Sequence, residues 1–239
     1  MIIKKICDGI AKLLFPPRCP ICDEPVRIGE SGICGDCMKK VQYVMQPRCC
    51  KCGKHLETEA EEYCKDCEER THYFDAGRAL YEYTSVNQSL YRFKYSGRCE
   101  YAEVFGEEIA FYLKDFLREI KPDGLIPVPM HPKKERRRGY NQSSLLARAV
   151  GKSASLPVYE DIVHRIRNTK PLKMLNPEER VNNLKKAFIL GGNGVKLKVV
   201  VIIDDIYTTG STVDEIAKLL RETGAEKVYF ITLAIGETV

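Results

Sequence analysis

No apolar run in this chain is long enough to cross a bilayer. The longest, Val199 to Ile203, is five residues, where a helical span needs about 20. The marks of an export signal are missing too. Asp8 and Lys12 interrupt the apolar stretch at the start, and no small-residue cleavage site follows. Neither G-x4-G-K-S/T nor G-x-G-x-x-G occurs, which removes support for the common nucleotide-binding readings. Membrane-spanning and secreted classes are set aside, and a cytoplasmic globular protein is expected.

An apolar share of 44% with 30% charged residues is ordinary for a folded domain. The 239 residues accommodate one full α/β domain and a small accessory module. Ile2, Ile3, Ile6, Ile10, Leu13 and Leu14 recur at helical spacing and predict a short amphipathic helix packed on its own protein. The net charge of +5 says less than its placement. Basic residues gather at Lys133 to Arg138 and again from Arg165 to Lys198, which suits anionic ligands such as diphosphates or nucleic acid.

Eight of the eleven cysteines form four Cys-x2-Cys pairs: Cys19/Cys22, Cys34/Cys37, Cys49/Cys52 and Cys64/Cys67, each separated from the next by eleven residues. The flanks repeat as well. Pro17-Arg18-Cys19 returns as Pro47-Arg48-Cys49, and Cys34-Gly35-Asp36-Cys37 as Cys64-Lys65-Asp66-Cys67. A duplicated thirty-residue unit accounts for this pattern. Two residues between cysteines let both thiolates reach one ion, and two such knuckles complete a tetrahedron. Four pairs predict two closed, structural zinc sites in a reducing compartment. Sequential pairing (Cys19, Cys22, Cys34, Cys37; Cys49, Cys52, Cys64, Cys67) and an interleaved cross-brace both satisfy the spacing. Cys7, Cys50 and Cys99 fit neither scheme, while His55 and His72 are alternative ligands that eight cysteines make unnecessary.

The texture changes after Cys67, predicting a module at 1–70 and a second domain at 71–239. Strands are expected at Phe74–Tyr83, Gly124–Pro129, Lys198–Asp204 and Lys227–Ile235. Helices are expected at Val86–Tyr95, Tyr101–Ile120, Asn141–Val150 and Thr212–Thr223. This alternation predicts an α/β fold, a parallel sheet with helices on both faces. Val199 to Ile203 is apolar at every position, as a strand covered on both sides requires. Ligands of such sheets sit beyond the carboxyl ends of the strands.

There the chain reads Asp204-Asp205-Ile206-Tyr207-Thr208-Thr209-Gly210-Ser211-Thr212. Adjacent carboxylates at the end of a buried strand are costly unless they bind something. Amides and hydroxyls from Thr209 to Thr212, at a helix start, suit a phosphate. Gly210 lets backbone approach a ligand, and Ser211 or Thr212 is expected to cap the helix with Asp214 or Glu215. Carboxylates for ribose hydroxyls beside a cradle for a 5-phosphate together suit a sugar phosphate. Tyr91, Phe93, Lys94 and Tyr95 mix aromatic and basic residues as single-strand nucleic-acid surfaces do, although aromatics at helical spacing also serve as core.

Val200 to Thr212 resembles the phosphoribosyl-diphosphate signature of type I phosphoribosyltransferases, with Tyr207 standing where most members carry an aliphatic residue. Add the cysteine ladder, Pro127-Val128-Pro129-Met130-His131-Pro132 and Arg138-Gly139-Tyr140-Asn141-Gln142, and nearly the whole chain resembles the ComF family of competence-associated proteins. The resemblance implies that Asp204 and Asp205 bind the ribose and Thr208, Thr209, Gly210, Ser211 and Thr212 wrap the 5-phosphate. Lys134, Arg138, Asn141 and Gln142 would meet the pyrophosphate and its magnesium, and Asp204, Asp205 and Arg138 would be the catalytic set. It further implies a link to DNA uptake, with single-stranded DNA and competence-machinery proteins as partners. Arg165 to Lys186 is placed to be a closing loop or a linker, and Leu172 stands where members commonly carry glutamine.

Overall fold

The computed structural model describes residues 16–26, 32–167, 187–191 and 196–236. The amphipathic segment around Ile2 to Leu14, Cys7, most of the basic stretch from Arg165 to Lys186 and its Leu172 lie outside those residues.

Two short helices belong to the cysteine module, α1 (Gly35–Met38) and α2 (Lys65–Glu69), each beginning just after the first cysteine of a pair. Next come β1 (Ala76–Glu82), α3 (Tyr83–Tyr95), α4 (Tyr101–Tyr112), α5 (Lys114–Ile120), β2 (Gly124–Pro127), α6 (Pro132–Arg138) and α7 (Gln142–Ala154). The chain continues through β3 (Val163–Arg165), β4 (Phe188–Leu190), β5 (Val199–Tyr207), α8 (Ser211–Glu222) and β6 (Lys227–Ile235). The main sheet has the order β1-β6-β5-β2 and every pairing in it is parallel. Strands β3 and β4 form a separate antiparallel pair.

The apolar run of β5 does what its composition requires. Val201 and Ile203 join one buried cluster with residues of α3, α4, α5 and α7. Val200 and Ile202 join another with residues of α8 and the second cysteine unit. Alternate side chains thus feed cores on opposite faces, and helices cover both. Helices α4 and α7 cross closely because Gly106 has no side chain: a Cβ there would lie 2.3 Å from that of Ala149.

Three expectations about local structure need correction. The single helix expected over Tyr101–Ile120 breaks at Leu113, which leaves helical geometry (φ −102°, ψ 15°) and starts α5. The basic stretch Lys133 to Arg138, placed in no expected element, forms the helix α6. His131 caps it by accepting from the Lys133 amide, Pro132 suits its first turn, and Arg136 to Arg138 sit in its last turn beside the negative end of the helix dipole. Strand β5 runs through the acidic pair to Tyr207 rather than stopping at Asp204.

Register decides where the candidate residues meet. Pro127 of β2 pairs with Ile203 of β5, and Asp204 pairs with Thr232 of β6. The segment after β2 and the acidic pair therefore lie at the same carboxyl edge of the sheet.

Candidate functional site

Asp204 and Asp205 face different partners. Asp204 Oδ1 accepts from Ser143 Oγ at 2.8 Å and from the Asp205 amide at 2.9 Å. Burial, then the neighbouring Asp205 charge, pushes the Asp204 carboxyl up to about 7. Asp205 is paired with Lys94 of α3 at 2.8 Å, with both side chains largely buried. Ser143 reaches Asp204 because α7 starts there. Asn141, the N-cap of α7, accepts from the Ser143 amide and donates to the Val128 carbonyl at 3.0 Å, tying the helix start to the end of β2. Asn141 is buried and engaged in this cap. Gln142 is buried beside it, and its Nε2 finds no partner among the described residues.

The loop after β5 turns on Gly210. Its φ of +77° is left-handed, and a Cβ there would come 2.7 Å from the Tyr207 hydroxyl, so both backbone and space require glycine. Gly210 itself is the N-cap of α8, with no side-chain cap, so the capping role expected of Ser211 or Thr212 is overturned. Asp214 completes no capping box. It accepts from His72 Nδ1 at 2.7 Å and from the Tyr73 amide at 2.8 Å, because the chain entering β1 lies across the start of α8. The Thr209 and Ser211 hydroxyls are 2.9 Å apart and buried, while Thr208 and Thr212 are half-buried. The first amides of α8 have no carbonyl within the helix to bond, which leaves them for a ligand. A cavity of about 300 Å³ opens here, lined by Arg70 to Tyr73, Thr209, Ser211, Asp214 and Glu215.

Lys134 and Arg138 of α6 line a cavity of about 130 Å³ with Tyr95, Gly97, Arg137 and Lys94, the partner of Asp205. The Arg138 guanidinium lies 4.9 Å from the centre of the Tyr95 ring. Burial, then the charges of Arg165, Arg138 and Arg137, lowers the Lys134 pKa. Arg165, over the Phe188 ring at 5.3 Å, is lowered by burial and partly restored by the charge of Asp204. The residues singled out from sequence thus fall into the acidic pair, the hydroxyl loop and the basic cavity, with Asn141 and Gln142 buried at the start of α7. Sequence reasoning did not assign Ser143, His72 or the Lys94–Asp205 pair to the site. Ser143 had a signal, since it directly follows Arg138-Gly139-Tyr140-Asn141-Gln142; His72 had none.

The thiols are gathered sequentially. Cys19, Cys22, Cys34 and Cys37 form one cluster and Cys49, Cys52, Cys64 and Cys67 the other, all four sulfurs of each lying within 4.8 Å of one another. A tetrahedron of zinc–sulfur bonds of about 2.3 Å separates its sulfurs by about 3.8 Å. Cys22–Cys34 at 3.9 Å and Cys52–Cys64 at 3.6 Å match that spacing. His55 bonds the Met45 carbonyl and His72 bonds Asp214, so neither joins a cluster.

Comparison with known proteins covers both halves of the chain. A double zinc ribbon domain model matches residues 10–68 and a phosphoribosyl transferase domain model residues 143–237. DNA utilization protein YhgH of Shigella flexneri is 30% identical over 233 residues, 90% of this chain and 96% of that protein. Competence protein F of Haemophilus influenzae is 39% identical over 115 residues, 47% of this chain and only 50% of its own length. Competence protein ComFC of Streptococcus pneumoniae is 31% identical over 157 residues, 65% of this chain and 66% of that one. A solved purine phosphoribosyltransferase from Pyrococcus horikoshii Ot3 covers 56% of this chain and 88% of its own at 15% identity, with a TM-score of 0.30 that carries no weight. Among the described residues no helix is long and apolar enough to cross a membrane.

Proposed function

This chain belongs to the family of competence protein F, ComFC and DNA utilization protein YhgH, and from that premise we propose that it binds phosphoribosyl diphosphate with magnesium and transfers ribose 5-phosphate to a nitrogen acceptor. The observation that carries the reading is an acidic pair joined through Lys94 to a cationic cavity and followed along the chain by a hydroxyl-lined helix start. A sugar phosphate with a diphosphate at its other end needs those three chemistries together.

In this reading the amides and hydroxyls of Thr208 to Thr212 hold the 5-phosphate, and Asp204 and Asp205 accept from the ribose hydroxyls. Ser143 and the Asp205 amide orient the Asp204 carboxylate. Lys134, Arg138 and the Gln142 amide face the leaving diphosphate, while Asn141 fixes the start of α7. As the bond from the anomeric carbon to diphosphate breaks, positive charge grows on the ribose and negative charge on the leaving group. Carboxylates and cations already fixed at those two ends stabilise both. The hard carboxylate oxygens of the acidic pair would suit magnesium, which when bound would supply charge neutralisation for the diphosphate. The module at 1–70 supports the transferase-like domain at 71–239 through its two zinc clusters.

Calorimetric titration with phosphoribosyl diphosphate and magnesium tests this, with Asp204→Asn/Asp205→Asn as control. The expected result is binding by the wild-type protein that the double substitution abolishes, with pyrophosphate release once an acceptor is supplied. A folded, zinc-loaded protein that does not bind sinks the proposal.

One observation favours a second reading, a competence protein that handles single-stranded DNA and keeps phosphoribosyl diphosphate as a ligand only. Tyr91 and Tyr95 are exposed, with rings 5.0 Å apart, and Arg138 lies over Tyr95. Exposed rings beside cations stack bases without regard to sequence. Salt-sensitive DNA affinity surviving the double acidic substitution would favour it.

A further inference from the structure

Lys94 lies where two chemistries meet. Its Nζ is 2.8 Å from Asp205 Oδ2, and the two side chains are only 20% and 13% exposed. The same lysine lines the 130 Å³ cavity, whose other charged walls, Lys134, Arg137 and Arg138, are all cationic. One ammonium therefore neutralises a carboxylate on one side and borders an anion-seeking pocket on the other. The cavity lies below the roughly 300 Å³ at which pockets for larger organic ligands begin, a size that suits a compact multivalent anion.

The pairing with Asp205 has a consequence for any ligand that uses the acidic pair. The lysine holds Oδ2 of Asp205, so a ribose hydroxyl that claims this oxygen displaces a largely buried ion pair, and a buried charge left unpaired is strongly disfavoured. The ligand must supply another anion for Lys94 as it takes Asp205. A diphosphate in the neighbouring cavity does so. The helix carrying Lys94 is itself fixed, because Ser89 and Arg92 of α3 donate to the Pro20 and Ile21 carbonyls. The exchange therefore falls to the flexible four-carbon stem of the lysine rather than to movement of the helix.

We propose that Lys94 is an exchange cation: it holds Asp205 in the ligand-free protein and passes to the diphosphate when phosphoribosyl diphosphate binds, freeing Asp205 for the ribose. This rests on the reading of the site under Proposed function. It makes the acidic and cationic halves interdependent, so that each half of the ligand opens the place of the other.

The experiment uses the full-length zinc-loaded protein and two probes, inorganic pyrophosphate with magnesium and ribose 5-phosphate, each titrated by calorimetry. Lys94→Gln should weaken pyrophosphate by about tenfold or more, the scale of a charge-assisted hydrogen bond. Ribose 5-phosphate should bind unchanged or tighter, since Asp205 is released. Lys94→Arg, keeping the charge, should restore most of the pyrophosphate affinity. Asp205→Asn gives the reciprocal measurement and stands alone if Lys94→Gln does not fold: pyrophosphate should bind as well or better while ribose 5-phosphate weakens. Equal loss of both probes in Lys94→Gln, no loss of pyrophosphate there, or weaker pyrophosphate in Asp205→Asn overturns the exchange. If the wild-type protein binds neither probe, the reading of the site has failed and this inference goes with it.

Discussion

The two cysteine units are copies in sequence but brace different ends of the site against different cores. The first joins apolar packing, with Cys19, Ile33, Cys37 and Val41 in the cluster of Leu90, Phe93 and Phe105, to a set of polar contacts. Its segment from Pro20 to Asp23 receives hydrogen bonds from Ser89, Arg92, Arg98 and Tyr101, fixing the helix that carries Lys94 and the start of the next. The second is attached by apolar packing. Cys49 and Cys52 are buried in the same cluster as Phe74, Tyr207 and Phe230, directly behind the hydroxyl loop. Tyr207 stacks on Phe230 at 4.6 Å and meets Phe74 edge-on. The aromatic residue that departs from the usual aliphatic one is thus a packing element between ribbon and loop. A duplicated metal unit specifies its own fold; what it supports depends on the surface it meets.

The largest expected effect separates the two units. Cys52→Ala removes a ligand that is also a core side chain, so zinc content should fall from two ions per chain to one, and affinity for ribose 5-phosphate should drop tenfold or more. Cys22 is exposed, and Cys22→Ala should lose one zinc with a much smaller effect on that probe. Metal analysis with calorimetry reads both, and equal losses would break the distinction.

A smaller effect tests the polar attachment of the first unit. Asp23→Ala deprives Arg98 and Tyr101 of their shared partner and should cost about 1–3 kcal/mol of stability. Denaturant unfolding should register it while ribose 5-phosphate binding is kept.

The smallest concerns protons. The folded Asp204 carboxyl titrates near 7, above its usual value of 3.8, so the folded state holds more protons than the unfolded one between those pH values. Its contribution to stability is present at low pH and lost as pH rises through that window, the opposite of a salt-bridged aspartate. Asp204→Asn should flatten that decline in melting temperature. Ribose 5-phosphate binding should strengthen as pH rises through about 7, with the same midpoint in the wild-type protein and in Cys22→Ala.

Much of this was legible because it is local. A Cys-x2-Cys knuckle is set by four consecutive residues, and a strand, acidic pair, hydroxyl loop and helix follow one another within Val199 to Glu222. The β6 limits Lys227–Ile235 match the expectation for the same reason: an apolar run between polar ends. Less legible were features in which a distant partner decides. Asp214 reads as a capping residue until His72, 142 positions away, takes its carboxylate. The basic stretch from Lys133 carries no apolar stripe to mark a helix, yet His131 and Pro132 start one there.

The sequence by itself determined the metal ligands' repeat, the parallel α/β class and the order of chemistries along the loop, since spacing and hydropathy act between near neighbours. Only the tertiary structure decided that the knuckles pair sequentially, that Ser143 turns to Asp204, and that Lys94 stands between the acidic pair and the cationic cavity. Those arrangements depend on strand register and helix packing, which bring together residues whose separation along the chain says nothing of their distance in space.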